Sequence, residues 1–407
     1  MSRVRRGLGL VRRELRRLVA PCSGILMYHR IAEETCDPYG LCVSPSHFRQ
    51  HLVAARDAGF RFVTLSELQA RARWGAMPGR TLAVTFDDGY LDNMTAGWPV
   101  LRELGIPATM FIPSGPIGGR AEFWWDALDR VFLRPGRLPA RLNLRLDGLE
   151  LDIALDGAET YAEEEFRDRC GWRLGTPTPG RRQAAMAEVY AHLAPRPPEV
   201  QARAAAALLT WAELGPVPRA THRTMTAEEL GRLAEDPLIE IGAHTVGHPR
   251  LSDQSAERQR HELRQGRADL ETLLKRPVRG VAFPHGAFNA TTLREAAEAG
   301  YTYACTVDHR PLRLHERMLC LPRLTVVDQD GRSFANALLG AIQPERPWTT
   351  LARRIRSRAA GSQGSEKLSP PERRFSAASR ARAMLGRGSR EQAPPSGRGK
   401  QGRPSGS

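Results

Sequence analysis

Short apolar runs alternating with amphipathic stretches restrict the fold of this 407-residue chain more than any other feature. Residues 25–29, 60–64, 81–86 and 108–112 read as short buried strands. Between them, 46–58, a stretch opening at Ser66, and 92–104 read as helices. Parallel strands need a crossover, and the helices supply it. The repetition therefore predicts an α/β protein built on a parallel sheet or barrel. The rhythm breaks after Phe123-Trp124-Trp125. From there to about residue 222 the pattern is irregular, then Ala-rich and helical (183–193, 200–214), which reads as a mostly helical insertion. Thr226-Ala227-Glu228-Glu229 is a capping box and restarts the rhythm. Strands are expected at 238–244, 278–284 and 302–307, with helices at 255–274 and 291–299.

The strand over 81–86 ends in Thr85-Phe86-Asp87-Asp88-Gly89-Tyr90. Two carboxylates follow an apolar run and precede a glycine, so they sit at a strand end that turns sharply. One Asp there is explained by capping a helix. A pair suggests divided work, one holding a metal while the other moves a proton. Downstream, Ile239-Glu240-Ile241-Gly242-Ala243-His244-Thr245-Val246-Gly247-His248 ends a second apolar strand in two histidines four apart. Neutral imidazoles are common ligands of zinc and related divalent ions. Thr245 stands where the zinc-protease motif requires Glu, which excludes that motif. Together with a strand-end Asp the pair makes a His₂Asp site with open positions, the catalytic kind. Phe283-Pro284-His285-Gly286 and the strand-closing His29 are further candidates, and core packing accounts for either one alone. Trp124 and Trp125 fit stacking on sugar rings or packing in a core.

The formal net charge of +15 has a telling distribution. Residues 1–20 carry +6 and residues 351–407 carry +11, which leaves the body at −2. A near-neutral body argues against specific nucleic-acid binding; only the basic ends could serve it, and such binding would fall steeply with salt. Within 1–21, Val4, Leu8, Val11, Leu15 and Leu18 form one apolar helical stripe with arginines on the other faces, a pattern that suits an anionic membrane surface. Beyond about residue 347 the Arg, Ser, Gly and Pro-rich composition predicts disorder. Six scattered cysteines without a C-x-x-C pair read as free thiols. No apolar stretch resembles a secretory signal or a membrane span. A cytoplasmic location, peripheral at the membrane through the first helix, is the expectation.

The motifs resemble those of polysaccharide deacetylases of the NodB-homology type, carbohydrate esterase family 4. Thr85 to Tyr90 matches the family's first motif, and His244-Thr245-Val246-Gly247-His248 its second. Phe283-Pro284-His285-Gly286 resembles the third loosely. The lead-in 26–31 and residues 48–68 resemble the subgroup whose barrel strands look circularly permuted. The resemblance covers about 24–122 and 223–335. It implies a distorted (β/α)7-type barrel over 22–122 and 223–346, interrupted by the insertion 123–222 and flanked by 1–21 and 347–407. It also implies that Asp88, His244 and His248 hold a divalent metal, most commonly Zn, with Co, Ni or Mn as alternatives. Asp87 would be the general base and His29 the general acid. The backbone N–H of His285 would face the oxyanion. The implied reaction is metal-dependent removal of N-acetyl groups from amino sugars in a polysaccharide or glycan precursor. The family's third-motif Arg, which orients the base, is replaced by Ala282, and the usual Tyr by His285. Those departures leave open what orients Asp87, and they keep a second reading alive: an inactive glycan-binding module on the same fold.

Overall fold

The computed structural model describes residues 23–73, 80–312 and 316–342. The expected basic helix over 1–21, the tail over 347–407 and Cys22 lie outside them.

Eight parallel strands form one sheet: β1 Gly24–Tyr28, β2 Arg61–Val63, β3 Thr81–Phe86, β4 Ala108–Ile112, β5 Ile239–Ala243, β6 Gly280–Ala282, β7 Tyr303–Cys305 and β8 Leu324–Thr325. Their order is β7-β6-β5-β4-β3-β1-β8. β2 lies off this path and pairs with the start of β3 (Arg61 with Thr81, Val63 with Ala83). β4 pairs with the end of β3 (Val84 with Ala108, Phe86 with Met110). A bridge between Cys305 and Leu321 joins β7 to the segment leading into β8. The sheet thus curls back on itself as a distorted (β/α) barrel. Every residue of β1, β3, β4, β6 and β7 is buried, as expected of parallel strands covered on both faces.

Helices cover the outside of the sheet: α1 Pro45–Asp57, α2 Leu65–Arg73 and α3 Trp98–Leu104 early in the chain. Ser44 caps α1 by accepting the His47 N–H, and Pro45 at the first position needs no donor. The insertion carries α4 Trp124–Phe132, α5 Glu163–Arg169, α6 Arg181–Leu193 and α7 Pro198–Trp211. The barrel resumes with α8 Ala227–Ala234, α9 Ala256–Leu274, α10 Ala290–Glu298 and α11 Gly331–Ile342. The capping box expected at Thr226 forms with Glu229. No helix of the described residues is long and apolar enough to cross a membrane.

Two differences from the sequence reading matter. The insertion also holds an antiparallel hairpin, Arg141–Leu146 with Leu149–Ala154. Its signal was an apolar alternation on either side of Asp147-Gly148, whose positive φ angles of 49° and 72° suit a two-residue hairpin turn. The hairpin and helices enclose an apolar cluster of their own, including Trp124, Leu128, Leu151, Val189 and Leu208. The second difference is β8, two residues long and too short to show periodicity.

α1 and α11 meet at a buried histidine. His51 is fully buried, 2.6 Å from the Gln329 carbonyl through Nε2 and 3.3 Å from the Tyr28 hydroxyl through Nδ1. Its ring stacks on Phe334 at 4.3 Å. Burial pushes its pKa down from 6.5 to about 4. The folded state therefore binds fewer protons than the unfolded chain between those values. Stability is complete above about pH 6.5 and falls as pH drops toward 4. Urea unfolding should show a loss of about 2 kcal/mol at pH 5 relative to neutral pH from this group alone. A His51→Asn variant, weaker overall, should lose that share of the pH dependence; an unchanged slope would rule His51 out as its source.

Candidate metal centre and active site

β3 delivers the carboxylate pair. Asp88 adopts φ +71°, in the left-handed region where Asp is among the few tolerated side chains. This bend sends the neighbouring carboxylates into different surroundings. Asp87 is 2% exposed and Asp88 3%.

Asp88 faces the second motif. Its Oδ1 lies 3.4 Å from His244 Nε2 and 3.1 Å from His248 Nε2, and the two nitrogens are 3.1 Å apart. Two zinc–ligand bonds of 2.0–2.1 Å at a tetrahedral angle span roughly 3.3 Å, so these three atoms form one face of such a shell. His244 Nδ1 sits 2.7 Å from the Ala282 carbonyl. That oxygen only accepts, so Nδ1 carries the proton and the bare Nε2 points at Asp88. Asp88 Oδ1 is buried without a hydrogen-bond partner. An orphaned carboxylate oxygen facing two ring nitrogens is the donor set of a small divalent cation. Burial alone would raise the Asp88 pKa, but the electrostatic influence of His248 and His244 facing it outweighs this and holds the carboxyl well below its usual range.

Asp87 has a different partner. Arg323, fully buried, donates from both terminal nitrogens to the two Asp87 oxygens at 2.7 Å each. Its Nε donates to the Thr306 carbonyl at 2.9 Å, which fixes the plane of the fork. Arg323 was not singled out from the sequence, and it holds the carboxylate that the third-motif Arg was expected to orient. It stands just before β8, far from Ala282 along the chain. The available signal was a single Arg inside the otherwise apolar run Leu321-Pro322-Arg323-Leu324. Burial raises the Asp87 pKa, but Arg323 and then His244 overcome this, and the net shift is downward. Asp87 is ionised at neutral pH.

His29 Nε2 stands 3.9 Å from Asp87 Oδ2, and its side chain is 16% exposed, more open than Asp88, His244 and His248. The loop after β1 is pinned by Asn93, whose amide donates to the His29 carbonyl at 2.8 Å. His285 lies in the turn after β6 with φ +56°. Its ring centroid is 4.7 Å from that of His248, and its Nε2 is buried without a partner. Burial first, then the His248 charge, pushes its pKa well below 6.5, so the ring is neutral. All six residues singled out from the sequence thus meet at one end of the barrel.

Trp124 and Trp125 are 6% and 5% exposed. Trp124 packs against Tyr190 at 5.0 Å within the insertion's cluster. Trp125 stacks on Phe123 at 4.3 Å and lies 4.9 Å from the His248 ring. Its Nε1 donates to Tyr90 Oη, which donates to Asp126. The five cysteines among the described residues are unpaired.

Residues 75–134 and 203–304 match the family model described as polysaccharide deacetylase. Among curated proteins, YxkH of Bacillus subtilis (strain 168), named provisionally as a polysaccharide deacetylase, is 34% identical over 95 residues, 23% of this chain and 33% of that protein. The poly-beta-1,6-N-acetyl-D-glucosamine N-deacetylase of Escherichia coli (strain K12) is 26% identical over 113 residues, 26% of this chain and 17% of that protein. The chain matches a third or less of the length of these relatives. Among solved structures, the Streptococcus pyogenes deacetylase PplD in complex with acetate is 18% identical, with a TM-score of 0.48 over 79% of this chain and 97% of the other. IcaB from Ammonifex degensii is 17% identical, with a TM-score of 0.47 over 80% and 98%.

The Arg323–Asp87 pair makes a prediction independent of activity. Arg323→Met leaves a carboxylate buried without its partner and should lower the unfolding free energy by about 3–5 kcal/mol. Adding Asp87→Asn removes the stranded charge and should recover part of the loss. A double-mutant cycle in denaturant with no coupling between the two changes would show that the pair is not a unit.

Proposed function

We propose that this chain, a member of the polysaccharide deacetylase family, is a metal-dependent hydrolase that removes N-acetyl groups from amino sugars in a polysaccharide or glycan precursor. One observation carries the reading. An ionised carboxylate, held by both oxygens on Arg323, lies beside a triangle of metal-ligand atoms and 3.9 Å from a histidine.

Asp88, His244 and His248 would hold the ion, and they meet the preference of zinc for nitrogen and carboxylate donors; cobalt, nickel and manganese accept the same set. Bound there, the ion would polarise the acetamide carbonyl and acidify water. The rest is done by the chain. Asp87, kept ionised and oriented by Arg323, takes a proton from the attacking water. The water oxygen bonds to the acetyl carbon. A backbone N–H at His285 is our candidate donor to the oxyanion. The C–N bond then breaks as His29 gives a proton to the departing nitrogen, releasing acetate and a free amino sugar.

The inactive-module reading drew its support from the Arg missing at Ala282, and Arg323 removes that support. We assign the choice of glycan to the insertion 123–222, and contact with an anionic membrane surface to segment 1–21.

Purified protein supplied with Zn²⁺ or Co²⁺ should release acetate from N-acetylglucosamine oligomers. Asp87→Asn, and separately His29→Ala, should cut kcat by about 10²–10⁴-fold, the usual share of a general base or acid. His244→Ala should abolish activity at limiting metal. Undiminished acetate release from both Asp87→Asn and His244→Ala would overturn the assignment.

A further inference from the structure

The turn that carries His244 and His248 is held only in part by its own sequence, through the His248 N–H donated to the Thr245 hydroxyl at 3.0 Å. Thr245 and His248 both adopt positive φ, +66° and +63°, uncommon for His and an outlier for the β-branched Thr. Such backbone persists only where the surroundings impose it. The surroundings are one face of α9 and the loop after β4, whose Gly115 N–H donates to the Val246 carbonyl at 2.9 Å. Glu262, 2% exposed, accepts the N–H groups of Val246 and Gly247 on a single oxygen, Oε2, at 2.9 and 2.8 Å. These are consecutive N–H groups between the two ligands, a small backbone nest that takes an anionic group. One turn on, Gly266 lets the helix touch the loop: a Cβ there would lie 2.7 Å from the Thr245 carbonyl carbon. At the next turn Asp269 accepts the Ser114 hydroxyl at 2.6 Å, and the Ser114 N–H donates to the Thr245 carbonyl at 3.0 Å. Residues 262, 266 and 269 recur at the spacing of a single helical face.

We propose that Glu262, supported by Gly266 and Asp269, is the positioning residue that presets His248 relative to His244 and Asp88 and so sets the affinity of the site for its divalent ion. Glu262 touches neither the ion nor the substrate. It acts through the backbone of the turn. Without its carboxylate, two part-buried N–H groups lose their acceptor and the turn can relax to ordinary backbone angles. The free energy needed to restore the ligand geometry is then drawn from metal binding. The inference rests on the reading of Asp88, His244 and His248 as ligands.

The test is zinc affinity of the full chain by chelator competition, with the visible spectrum of the Co²⁺-substituted protein as a second readout and circular dichroism as the check of folding. Glu262→Ala should weaken zinc binding at least tenfold, within the range for residues that orient ligands, and change the Co²⁺ bands. Glu262→Gln keeps an acceptor oxygen in place and should stay within about threefold of wild type. A folded Glu262→Ala protein that binds zinc within about twofold of wild type overturns the proposal, as does a Gln variant that loses as much as the Ala variant. Should the Ala variant not fold, Glu262→Asp withdraws the carboxylate by one methylene and should still lose about threefold or more; unchanged affinity there overturns the proposal equally. Wild-type protein that binds no zinc refutes the metal reading itself. Wild-type binding with no effect of Glu262 refutes only this inference.

Discussion

The buried pair between Arg323 and Asp87 ties the chemistry of this protein to the closure of its barrel. The guanidinium arrives from the segment before β8, which lies beside β1 at one end of the sheet path. The same segment bridges to β7 at the other end through Leu321 and Cys305. Arg323 then donates to the Thr306 carbonyl, just past β7, and to Asp87, just past β3. Unless the sheet curls, these groups do not meet. Once it has curled, neither charge can be left alone. Removing a single partner strands the other in a low-dielectric interior, which costs far more than an exposed pair would. Barrel closure and the ionisation of Asp87 therefore depend on each other.

That dependence also separates the two adjacent aspartates. Both are buried to a similar degree, so burial alone would push both pKa values up together. Their partners differ in kind. Asp87 has a permanent cation that occupies both oxygens in a fixed plane. Asp88 has two imidazoles and an unpartnered oxygen. A permanent cation keeps a carboxylate ionised without taking it out of reach of a proton from elsewhere. An orphaned oxygen between ring nitrogens asks for a further positive charge. The bend at Asp88, not the identity of the two side chains, decides which receives which environment.

Much of this was legible in the residues. The barrel strands β1 to β7 fell where the apolar runs predicted them, because parallel strands covered on both faces are built mostly of apolar residues. The strand-end positions of Asp87, Asp88, His244 and His248 followed from the same runs. Arg323 did not follow, for a physical reason. Its partner lies 236 positions away, and only tertiary closure connects them. Local periodicity carries no trace of a contact at that range, and β8 is too short to have any. The hairpin in the insertion is a different kind of miss. Asp147-Gly148 between alternating leucines is a strong local signal, but the Ala-rich helices that follow it dominated the composition of the segment. The paired tryptophans had two readings, and burial favours packing: Trp124 belongs to the insertion's cluster, while Trp125 forms a wall of the candidate metal site.

That wall shows how the insertion reaches the chemistry. Trp125 lies on the His248 ring, while its Nε1 is hydrogen-bonded to Tyr90, two residues beyond Asp88. At the other end of the insertion, Pro198 opens α7 directly against Gly247; a Cβ on that glycine would lie 2.6 Å from the proline ring. Gly247 is one of the two residues whose N–H groups Glu262 holds. The loop between His244 and His248 is thus gripped by the barrel helix α9 on one side and bounded by the insertion on another. A displacement of α4 or α7 cannot be absorbed by empty space, because close-packed side chains transmit such shifts rather than dissipate them. Any change in how the insertion packs must therefore be felt at His248, so the segment that differs most from a plain βα repeat is mechanically part of the site it covers.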